Sequence, residues 1–297
     1  MGGTEARDRR GVKLGIITPA LTLLPRAHAR WEETAGLEDV VAVVQAAERL
    51  GYHHVTCSEH VAVPTGAAAT RGGRYWDPLA TFGYLAAVTS TIRFATHVLV
   101  LGYHHPLEIV KRYGTLDVVC GGRLIVGVGV GSLAEEFALL GAEFAGRGER
   151  ADDAVRALRA AWGRREPSYS GPVYPFADVV IEPYAPRTDV AIWIGGRTRR
   201  SLRRAVALAD GWAPFGVLPA ESRRWLDSVD VPGDFAVALQ PEAPLDPSGR
   251  PDAARAAVDD LRAGGATAVN LRFVSHSRSH YCEQLAAMAE IIQGDTT

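Results

Sequence analysis

The sequence predicts an α/β protein, a single parallel (β/α)8 barrel of the TIM type with one insertion segment. The chain has 297 residues, and its composition of 47% hydrophobic and 22% charged residues is that of an ordinary globular protein. Short β-rich runs alternate with longer helical patterns along nearly the whole length. Because such a barrel takes about 250 residues, one domain over residues 13–297 accounts for the chain. Eight βα units favour a closed barrel over an open, doubly wound sheet, which usually has fewer strands and a point of reversal.

The predicted strands are short runs of β-branched and other apolar residues. They cover residues 14–17, 54–58, 92–98, 124–128, 190–194, 211–213, 235–239 and 268–273. Each is followed by sequence in which apolar residues recur every three or four positions, the spacing that buries one stripe of a helix. These helical runs cover residues 36–50, 77–90, 106–119, 133–140 together with 149–162, 198–209, 220–228, 251–263 and 279–292.

Three segments fall outside this alternation. Residues 1–12 are polar and charged and are predicted to be a disordered N-terminal tail. Residues 64–73 lack periodicity and are predicted to be a loop, which ends shortly before Asp77 caps a helix whose first residue is Pro78. Residues 163–189 carry five prolines and are predicted to be the insertion.

Composition and charge exclude several function classes. A net charge of −2 gives no reason to expect a nucleic-acid or anionic-membrane partner. No apolar run approaches the roughly 18 residues that span a bilayer, and the N-terminus lacks the apolar segment of a signal peptide. Cys57, Cys120 and Cys282 are far apart and odd in number, so the sequence contains no disulfide framework. We therefore expect a cytoplasmic protein that binds a small molecule.

The active site of such a barrel forms where the strands end, and the second strand runs into Ser58, Glu59 and His60. An imidazole has a pKa of about 6.5, so His60 can transfer a proton near neutral pH. The alternative is a surface histidine that caps a loop.

Three further histidines follow the third predicted strand. His97 lies at its exit between Thr96 and Val98, and His104 and His105 come just before a helix. No HxH or HxxxH pair with a carboxylate in register is present, so no metal site is predicted. We interpret His104 and His105 as residues at the start of the helix.

Glycine occupies every second position at the end of the fourth predicted strand, in Gly127, Gly129 and Gly131. One face of that strand is therefore bare, and a flat ligand or another backbone can approach it closely. The spacing differs from a dinucleotide-binding fingerprint, and the alternative is that small residues ease packing in the barrel.

The fifth predicted strand ends in Gly195, Gly196, Arg197 and Thr198, where a helix begins. Free backbone amides, glycines, a hydroxyl and a guanidinium together predict a phosphate cradle. We interpret the arginines that follow as a solvated helix face that could bring one side chain to a ligand. They are Arg199, Arg200, Arg203 and Arg204.

Aromatic residues are divided between a pocket and the core. Trp76 is predicted to line the substrate pocket, whereas Trp193 and Trp212 are predicted to pack in the barrel.

Four runs, taken in order, resemble the bacterial luciferase-like oxidoreductases, in particular their deazaflavin-dependent branch. They are Ser58-Glu59-His60, Gly121-Gly122-Arg123-Leu124, Gly127-Val128-Gly129 and Trp193-Ile194-Gly195-Gly196. The resemblance extends over residues 13–292. It implies a barrel that binds the 5-deazaflavin coenzyme F420, or FMN, in its mouth.

The resemblance also implies roles for individual residues. His60 and Glu59 would be catalytic, with Glu59 setting the hydrogen bonding and charge of His60, and the His97–Val98 bond would be a non-proline cis peptide behind the coenzyme ring. Cofactor-binding positions would be Ser58, Thr96, His97, Val98, Val130, Gly131, Ser132 and Glu135, with the phosphate held by Gly195, Gly196, Arg197 and Thr198. Some sugar-phosphate-oxidising relatives have a glutamate where this chain has Ser132, so that activity is not implied.

The predicted function is an F420-dependent oxidoreductase that transfers a hydride between the coenzyme and a small organic substrate. A reduced-FMN monooxygenase and a non-catalytic cofactor-binding protein are the alternatives, because either could use the same phosphate cradle. A homodimer is expected from the resemblance, and no motif identifies the substrate.

Overall fold

This computed structural model describes residues 11–25 and 27–294, within which the strands form one parallel sheet closed into a barrel. The strands are β1 (Lys13–Ile17), β2 (His54–Cys57), β3 (Arg93–Thr96), β4 (Leu99–Val100), β5 (Leu124–Gly129), β6 (Ala191–Gly196), β7 (Gly211–Pro214), β8 (Ala236–Leu239) and β9 (Ala268–Leu271). Their order is β3-β2-β1-β9-β8-β7-β6-β5-β4, and β3 also pairs with β5, which closes the sheet. Because β4 continues the line of β3, the barrel has eight strand positions, and the predicted (β/α)8 fold is confirmed.

Helices cover the outside of the barrel. They are α1 (Leu37–Arg49), α2 (Thr65–Arg71), α3 (Pro78–Ala87), α4 (Pro106–Val119), α5 (Ala134–Leu139), α6 (Arg147–Ala161), α7 (Arg199–Leu208), α8 (Pro219–Leu226), α9 (Pro251–Ala263) and α10 (Arg278–Gln293). Short 3-10 turns lie at Arg30–Glu33 and Leu101–Tyr103. Predicted caps occur as expected: the Asp77 carboxylate accepts a hydrogen bond from the Ala80 amide at 2.8 Å, and Pro78 is the first residue of α3.

Two local predictions are wrong. The segment 64–73, predicted to be a loop, contains the helix α2, because alanine-rich sequence after Pro64 favours a helix even without a buried face. The single strand predicted over 92–98 is instead two strands, β3 and β4, and the peptide bond between His97 and Val98, which lies between them, is cis. That cis bond is the one implied by the family resemblance.

Most of the predicted N-terminal tail, residues 1–10, lies outside the described residues. Val12, at the end of the range predicted for the tail, is buried. The barrel domain therefore begins at or before this residue.

Small side chains and one indole fill the inside of the barrel. The buried residues of this inner cluster are Ala95, Ile125, Trp193, Ala213, Ala238 and Ala268. The His54 imidazole packs edge-on against Trp193, with 5.4 Å between ring centroids, and its Nε2 lies 2.7 Å from Asn270 Oδ1. A Cβ on Gly15 would lie 2.2 Å from that imidazole, so only glycine fits there. Burial lowers the pKa of His54 to about 4, which keeps the ring neutral in the core.

The packing roles predicted for Trp193 and Trp212 are confirmed. Trp193 belongs to the inner cluster, and Trp212 is completely buried in the layer between barrel and helices. The Trp212 indole N–H donates to Ser201 Oγ at 3.1 Å, which joins β7 to α7.

The proline-rich segment 163–189 crosses the outside of the barrel as irregular chain with one antiparallel bridge, between Tyr169 and Phe176. It is tied to the barrel near its end, where Arg187 forms a two-pronged ion pair with Asp117 of α4. The contacts are 3.0 Å from Nε and 2.8 Å from an Nη. The Asp117 side chain is only 1% exposed, so its charge depends on this guanidinium.

We expect Arg187→Met to destabilise the fold by about 2–3 kcal/mol, because it leaves the buried Asp117 carboxylate without a counter-ion. Urea unfolding followed by circular dichroism measures this. Arg165→Met is the matched control, since Arg165 of the same segment pairs with Glu166 and Glu182 at the surface. Equal stability of the two variants would contradict the assignment of a structural role to Arg187.

Candidate active site

A cavity of about 790 Å³ opens at the carboxyl ends of the strands, a size typical of sites for cofactors and small molecules. Most of the residues that the sequence and the resemblance indicated line it. They are Ser58, Glu59, His60, His97, Val98, Val130, Gly131, Ser132, Gly195, Gly196, Arg197 and Thr198. The fold thus brings together residues that are up to 140 positions apart, because parallel strands all end at the same rim.

Two predicted cofactor-binding residues lie outside this cavity. Thr96 is buried, and its hydroxyl donates to the Gly127 carbonyl at 2.7 Å, which joins β3 to β5. Glu135 lies on the exposed side of α5, whereas the next residue, Glu136, is completely buried. Consecutive residues of a helix point about 100° apart, so only one of these two glutamates can face the barrel.

The predicted pocket residue Trp76 is also outside the cavity. It packs against the hydrophobic core, and its carbonyl accepts a hydrogen bond from the Cys57 thiol. Its neighbour Tyr75, which the sequence offers as a second aromatic candidate, does line the cavity and meets the His60 ring edge-on with 4.5 Å between centroids. The tyrosine hydroxyl donates to the Arg71 carbonyl at 2.6 Å, which holds the ring in place.

His60 is oriented by Glu136. The His60 Nδ1 lies 2.5 Å from Glu136 Oε2, and the histidine side chain is 16% exposed, toward the cavity. The other ring nitrogen, Nε2, has no hydrogen-bond partner among the described residues. A neutral ring that donates from Nδ1 to the carboxylate therefore presents Nε2 as a free proton acceptor, and a protonated ring presents it as a donor.

Glu136 is a buried anion with four donors. Its Oε1 accepts from the amides of Val61 and Ala62 at 2.7 and 3.1 Å, and its Oε2 accepts from the Tyr103 hydroxyl at 2.8 Å as well as from His60. Burial raises the pKa of Glu136, but the hydrogen bonds from His60, the Ala62 amide and Tyr103 outweigh it and hold this pKa below its ordinary value. The carboxylate is therefore ionised at neutral pH.

Sequence reasoning missed Glu136, although the local pattern contains a signal for it. Leu133, Glu136 and Phe137 stand at the spacing of one helix face, and both apolar members are buried. A carboxylate at a position where the helical period demands a buried residue indicates a buried, hydrogen-bonded acid.

Glu59 does not contact His60 through its carboxylate, and the predicted pairing of these two side chains is wrong. Glu59 Oε2 accepts from the Val100 amide at 2.8 Å, and Oε1 lies 2.7 Å from His104 Nε2. Neighbouring residues in extended chain point in opposite directions, so Glu59 and His60 reach different partners. Glu59 anchors the chain just after the His97–Val98 bond.

His105 begins α4 as predicted, since its Nδ1 accepts from the Leu107 amide, but His104 pairs with Glu59. Burial lowers the pKa of His104, and the hydrogen bond and charge of Glu59, helped by Glu108, outweigh that effect and raise this pKa above 6.5. The protonated imidazole is thus favoured in the folded state.

The stability that His104 contributes should therefore depend on pH. A raised pKa means that the contribution is complete below about pH 6.5 and is lost as the pH rises through the folded-state pKa. We expect His104→Gln, which keeps a donor for Glu59 without the charge, to reduce the free energy of unfolding by about 1–2 kcal/mol at pH 6 and by much less at pH 9. Urea unfolding at both pH values measures this, and an equal reduction at both would contradict it.

Neighbouring protein atoms pack closely against the glycines of β5. These glycines therefore do not leave a bare surface for a ligand, as the sequence had suggested. A Cβ on Gly127 would lie 1.8 Å from the Thr96 carbonyl oxygen, and one on Gly129 would lie 2.7 Å from a Val98 methyl group. The same Val98 side chain would meet a Cβ on Gly195 at 2.6 Å. Val98 therefore rests between β5 and β6 and forms part of the cavity floor.

The phosphate cradle predicted at the end of β6 lies at the N-terminal end of helix α7. Gly196 adopts a φ of 116°, and a Cβ there would come within 2.9 Å of Ser201. The Thr198 hydroxyl accepts from the Ser201 amide at 3.3 Å as the cap of α7. Both glycines and Thr198 line the cavity, so this capped turn presents backbone to whatever the cavity holds.

Several guanidinium groups surround this turn. Arg197, Arg200 and Arg147 line the cavity, and among the described residues Arg197 and Arg200 have no carboxylate partner. Arg147 is held by the Gly131 carbonyl at 3.1 Å and lies over the Phe144 ring. Of the four arginines interpreted as solvated, Arg204 is buried and paired with Asp152, which corrects that interpretation for this residue. The free cations favour an anion at this end of the cavity.

Within residues 11–25 and 27–294, no group of three or more histidine, cysteine or acidic side chains is placed to hold a metal ion. No helix in the same part of the chain is long and apolar enough to cross a bilayer.

The barrel therefore places an imidazole–carboxylate pair and several guanidinium groups around one cavity, at the end of the barrel where TIM-barrel enzymes have their active sites. A family model described as luciferase-like monooxygenase matches residues 18–291. An uncharacterized protein of Mycobacterium tuberculosis is 30% identical over 201 residues, which is 64% of this chain and 69% of the relative.

Other similar proteins differ in their described chemistry. The F420-dependent glucose-6-phosphate dehydrogenase of Kribbella flavida is 29% identical over 184 residues, which is 61% of this chain and 54% of that protein. The crystal structure of the monooxygenase RslO1 from Streptomyces bottropensis superposes with a TM-score of 0.78 at 20% identity, covering 96% of this chain and 100% of that one. This chain belongs to the luciferase-like monooxygenase family, as the resemblance indicated, and membership of this oxidoreductase family supports an enzyme.

Proposed function

We propose that this protein is an F420-dependent oxidoreductase that transfers a hydride between the deazaflavin coenzyme and a small organic substrate. The observation that carries the proposal is that one cavity joins the free Nε2 of His60 to the cationic turn at the start of α7. A proton-transferring group and an anion cradle in one enclosed space suit a reaction in which a phosphate-bearing coenzyme and a proton act together. The F420-dependent relative from Kribbella flavida supports the choice of coenzyme.

The residues of the cradle fit the phosphate of such a coenzyme. Gly195 and Gly196 leave the backbone accessible, and the start of α7 is the positive end of its dipole. Arg197 and Arg200 supply charge that has no carboxylate partner among the described residues. These residues would hold the phosphate, and Val98 would support the ring from the cavity floor.

The deazaflavin ring, when bound, supplies the carbon that gives or takes the hydride. The task of this chain is to position the substrate and manage one proton. His60 Nε2 would give a proton to the substrate oxygen in a reduction, or take it in an oxidation. The carboxylate of Glu136 would keep the proton on Nδ1 and stabilise the ring when both nitrogens are protonated.

The second candidate is a reduced-FMN monooxygenase. The family model is described as luciferase-like monooxygenase, and the structure of RslO1, a monooxygenase, superposes over the whole barrel. FMN also bears a phosphate, so the same cradle would accept it. The remaining alternative is a protein that binds either cofactor without turnover.

A titration of the purified protein with oxidised F420 and with FMN, followed by tryptophan fluorescence, tests the proposal. We expect F420 to bind at least about tenfold more tightly than FMN, and Arg200→Met to weaken F420 binding about tenfold through the loss of one charged hydrogen bond. Arg224→Met, an exposed substitution on α8 outside the cavity, is the control. Selective binding of FMN would favour the monooxygenase, and binding of neither would contradict both enzyme assignments.

A further inference from the structure

A second polar cluster lines the same cavity on the side away from the cradle. Thr18 directly follows β1, Arg272 directly follows β9, and Tyr281 lies on α10. β1 and β9 are neighbours, and β1 stands four strand positions from β6 in the eight-position barrel. This cluster is therefore across the cavity from the phosphate cradle.

Arg272 carries a positive charge that the described residues leave without a partner. The side chain is half-buried, and none of the described carboxylates or carbonyls lies within hydrogen-bond or ion-pair distance of its guanidinium. Burial lowers the pKa of Arg272, more than the nearby Glu32 and Tyr281 raise it, and the group still remains charged at every physiological pH. A partly desolvated guanidinium that lines a cavity is stabilised by a hydrogen-bond acceptor, and here a bound ligand would supply that acceptor.

Two hydroxyl groups of residues that line the same cavity also lack partners. Thr18 is 3% exposed and Tyr281 2% exposed, yet Thr18 Oγ1 and Tyr281 Oη have no hydrogen-bond partner among the described residues. Buried hydroxyls are normally hydrogen-bonded. Two unpartnered donors and an unpartnered cation, carried by residues that line one cavity on the strands β1 and β9 and on α10, indicate a shared acceptor.

A nearby carboxylate, that of Glu32, accepts hydrogen bonds from backbone amides and not from Arg272. Its negative charge limits the charge of a ligand that could bind to this cluster. Glu32 is buried, and its two oxygens accept from the amides of Ala20 and Ala29, both at 2.8 Å. Its negative charge remains close to Arg272, as the effect on the pKa of Arg272 indicates. The cluster therefore suits a monoanion better than a doubly charged phosphate ester.

We propose that Arg272, Thr18 and Tyr281 form a subsite for a carboxylate group of the substrate. The two parallel N–H groups of the guanidinium match the two oxygens of a carboxylate, and each hydroxyl donates one further hydrogen bond. This inference rests on the proposed function in one respect: the molecule whose carboxylate binds at this subsite is the substrate of the reaction in the cavity. It names the substrate class as small organic carboxylates.

The binding of two acids and their amides to the coenzyme-free protein, measured by isothermal titration calorimetry, tests the subsite without any turnover. We expect benzoate and butanoate to bind at least about tenfold more tightly than benzamide and butanamide. Arg272→Met should abolish this difference, as expected for the loss of a charged, two-pronged contact. The exposed control Arg224→Met should retain it.

Tyr281→Phe is a second test variant. Unlike Arg272→Met, it removes no charge, so the fold does not have to tolerate such a loss. The hydroxyl that it removes has no hydrogen-bond partner among the described residues, so we expect the stability to stay the same or rise, while benzoate binds about threefold to tenfold more weakly. Unchanged benzoate affinity in both Tyr281→Phe and Arg272→Met would overturn the subsite.

Two further results would show that this cluster binds a different anion. Tighter binding of phenyl phosphate than of benzoate would overturn the choice of a carboxylate. Loss of F420 affinity in Arg272→Met, with benzoate binding unchanged, would assign the cluster to the carboxylate tail of the coenzyme and overturn a substrate subsite. Because F420 binding is measured separately, failure of the proposed coenzyme remains distinguishable from failure of this inference.

Discussion

Replacement of His60 by alanine is expected to lower kcat by about 100-fold or more and to change the dissociation constant of the coenzyme by less than about threefold. The imidazole lines the cavity with a ring nitrogen that has no hydrogen-bond partner among the described residues, and general acid–base catalysis contributes about 10²–10⁴-fold to a rate. The cradle that we propose for the coenzyme phosphate lies at β6 and α7, and His60 makes no hydrogen bond to its residues among those described. Steady-state kinetics with reduced and oxidised F420, together with fluorescence titration, measures both quantities.

The control for this substitution is His276→Ala. His276 is exposed and lies outside the residues that line the cavity, so its loss should leave kcat unchanged. An unchanged kcat in His60→Ala would remove this histidine from proton transfer. A parallel loss of coenzyme affinity would instead make it a binding residue.

Replacement of Glu136 by glutamine is expected to lower kcat by about tenfold or more and also to destabilise the fold by about 2 kcal/mol. The carboxylate accepts from four donors, whereas a glutamine offers one acceptor oxygen and turns a donor toward some of those groups. His60 then loses both the charge that stabilises its protonated form and the contact that selects its tautomer.

The neighbouring substitution Glu135→Gln separates this explanation from one based on helix α5 as a whole. Glu135 is exposed and makes no contact with the cavity, so we expect a kcat and a stability close to those of the unchanged protein. Equal effects of Glu135→Gln and Glu136→Gln would show that the buried carboxylate has no special role.

The fold was accessible from the sequence because its signals are local. Alternation of β-rich runs with helical periodicity depends on residues a few positions apart, and Pro106–Val119 and Pro251–Ala263 were predicted with the bounds that the structure has. Helix α2 was missed because its seven residues include no buried face, so the periodicity on which the prediction rests does not exist there. The cis peptide bond between β3 and β4 was indicated only by the family resemblance.

The position of the candidate site could be predicted from the sequence, but the side chains that pair within it could not. The rule that parallel strands end at one rim placed His60, Val98 and Gly195 together without any structure. It could not pair them with side chains from elsewhere in the chain. Glu136 is 76 residues from His60 and Glu59 is 45 residues from His104, and no local pattern records such distances.

The sequence by itself determined the barrel, the rim that carries the site, and the glycine-rich turn at the start of α7, because each follows from short-range periodicity and chain chemistry. Only the tertiary structure decided which carboxylate orients His60, which tryptophan or tyrosine faces the cavity, and which arginine remains unpaired. Those choices depend on the direction in which each side chain leaves its backbone and on what distant strands place opposite it. Hydrogen bonds from His60, the Ala62 amide and Tyr103 keep Glu136 ionised against the effect of burial, whereas the charge of Arg272 has no partner among the described residues. Both arrangements are properties of the folded chain.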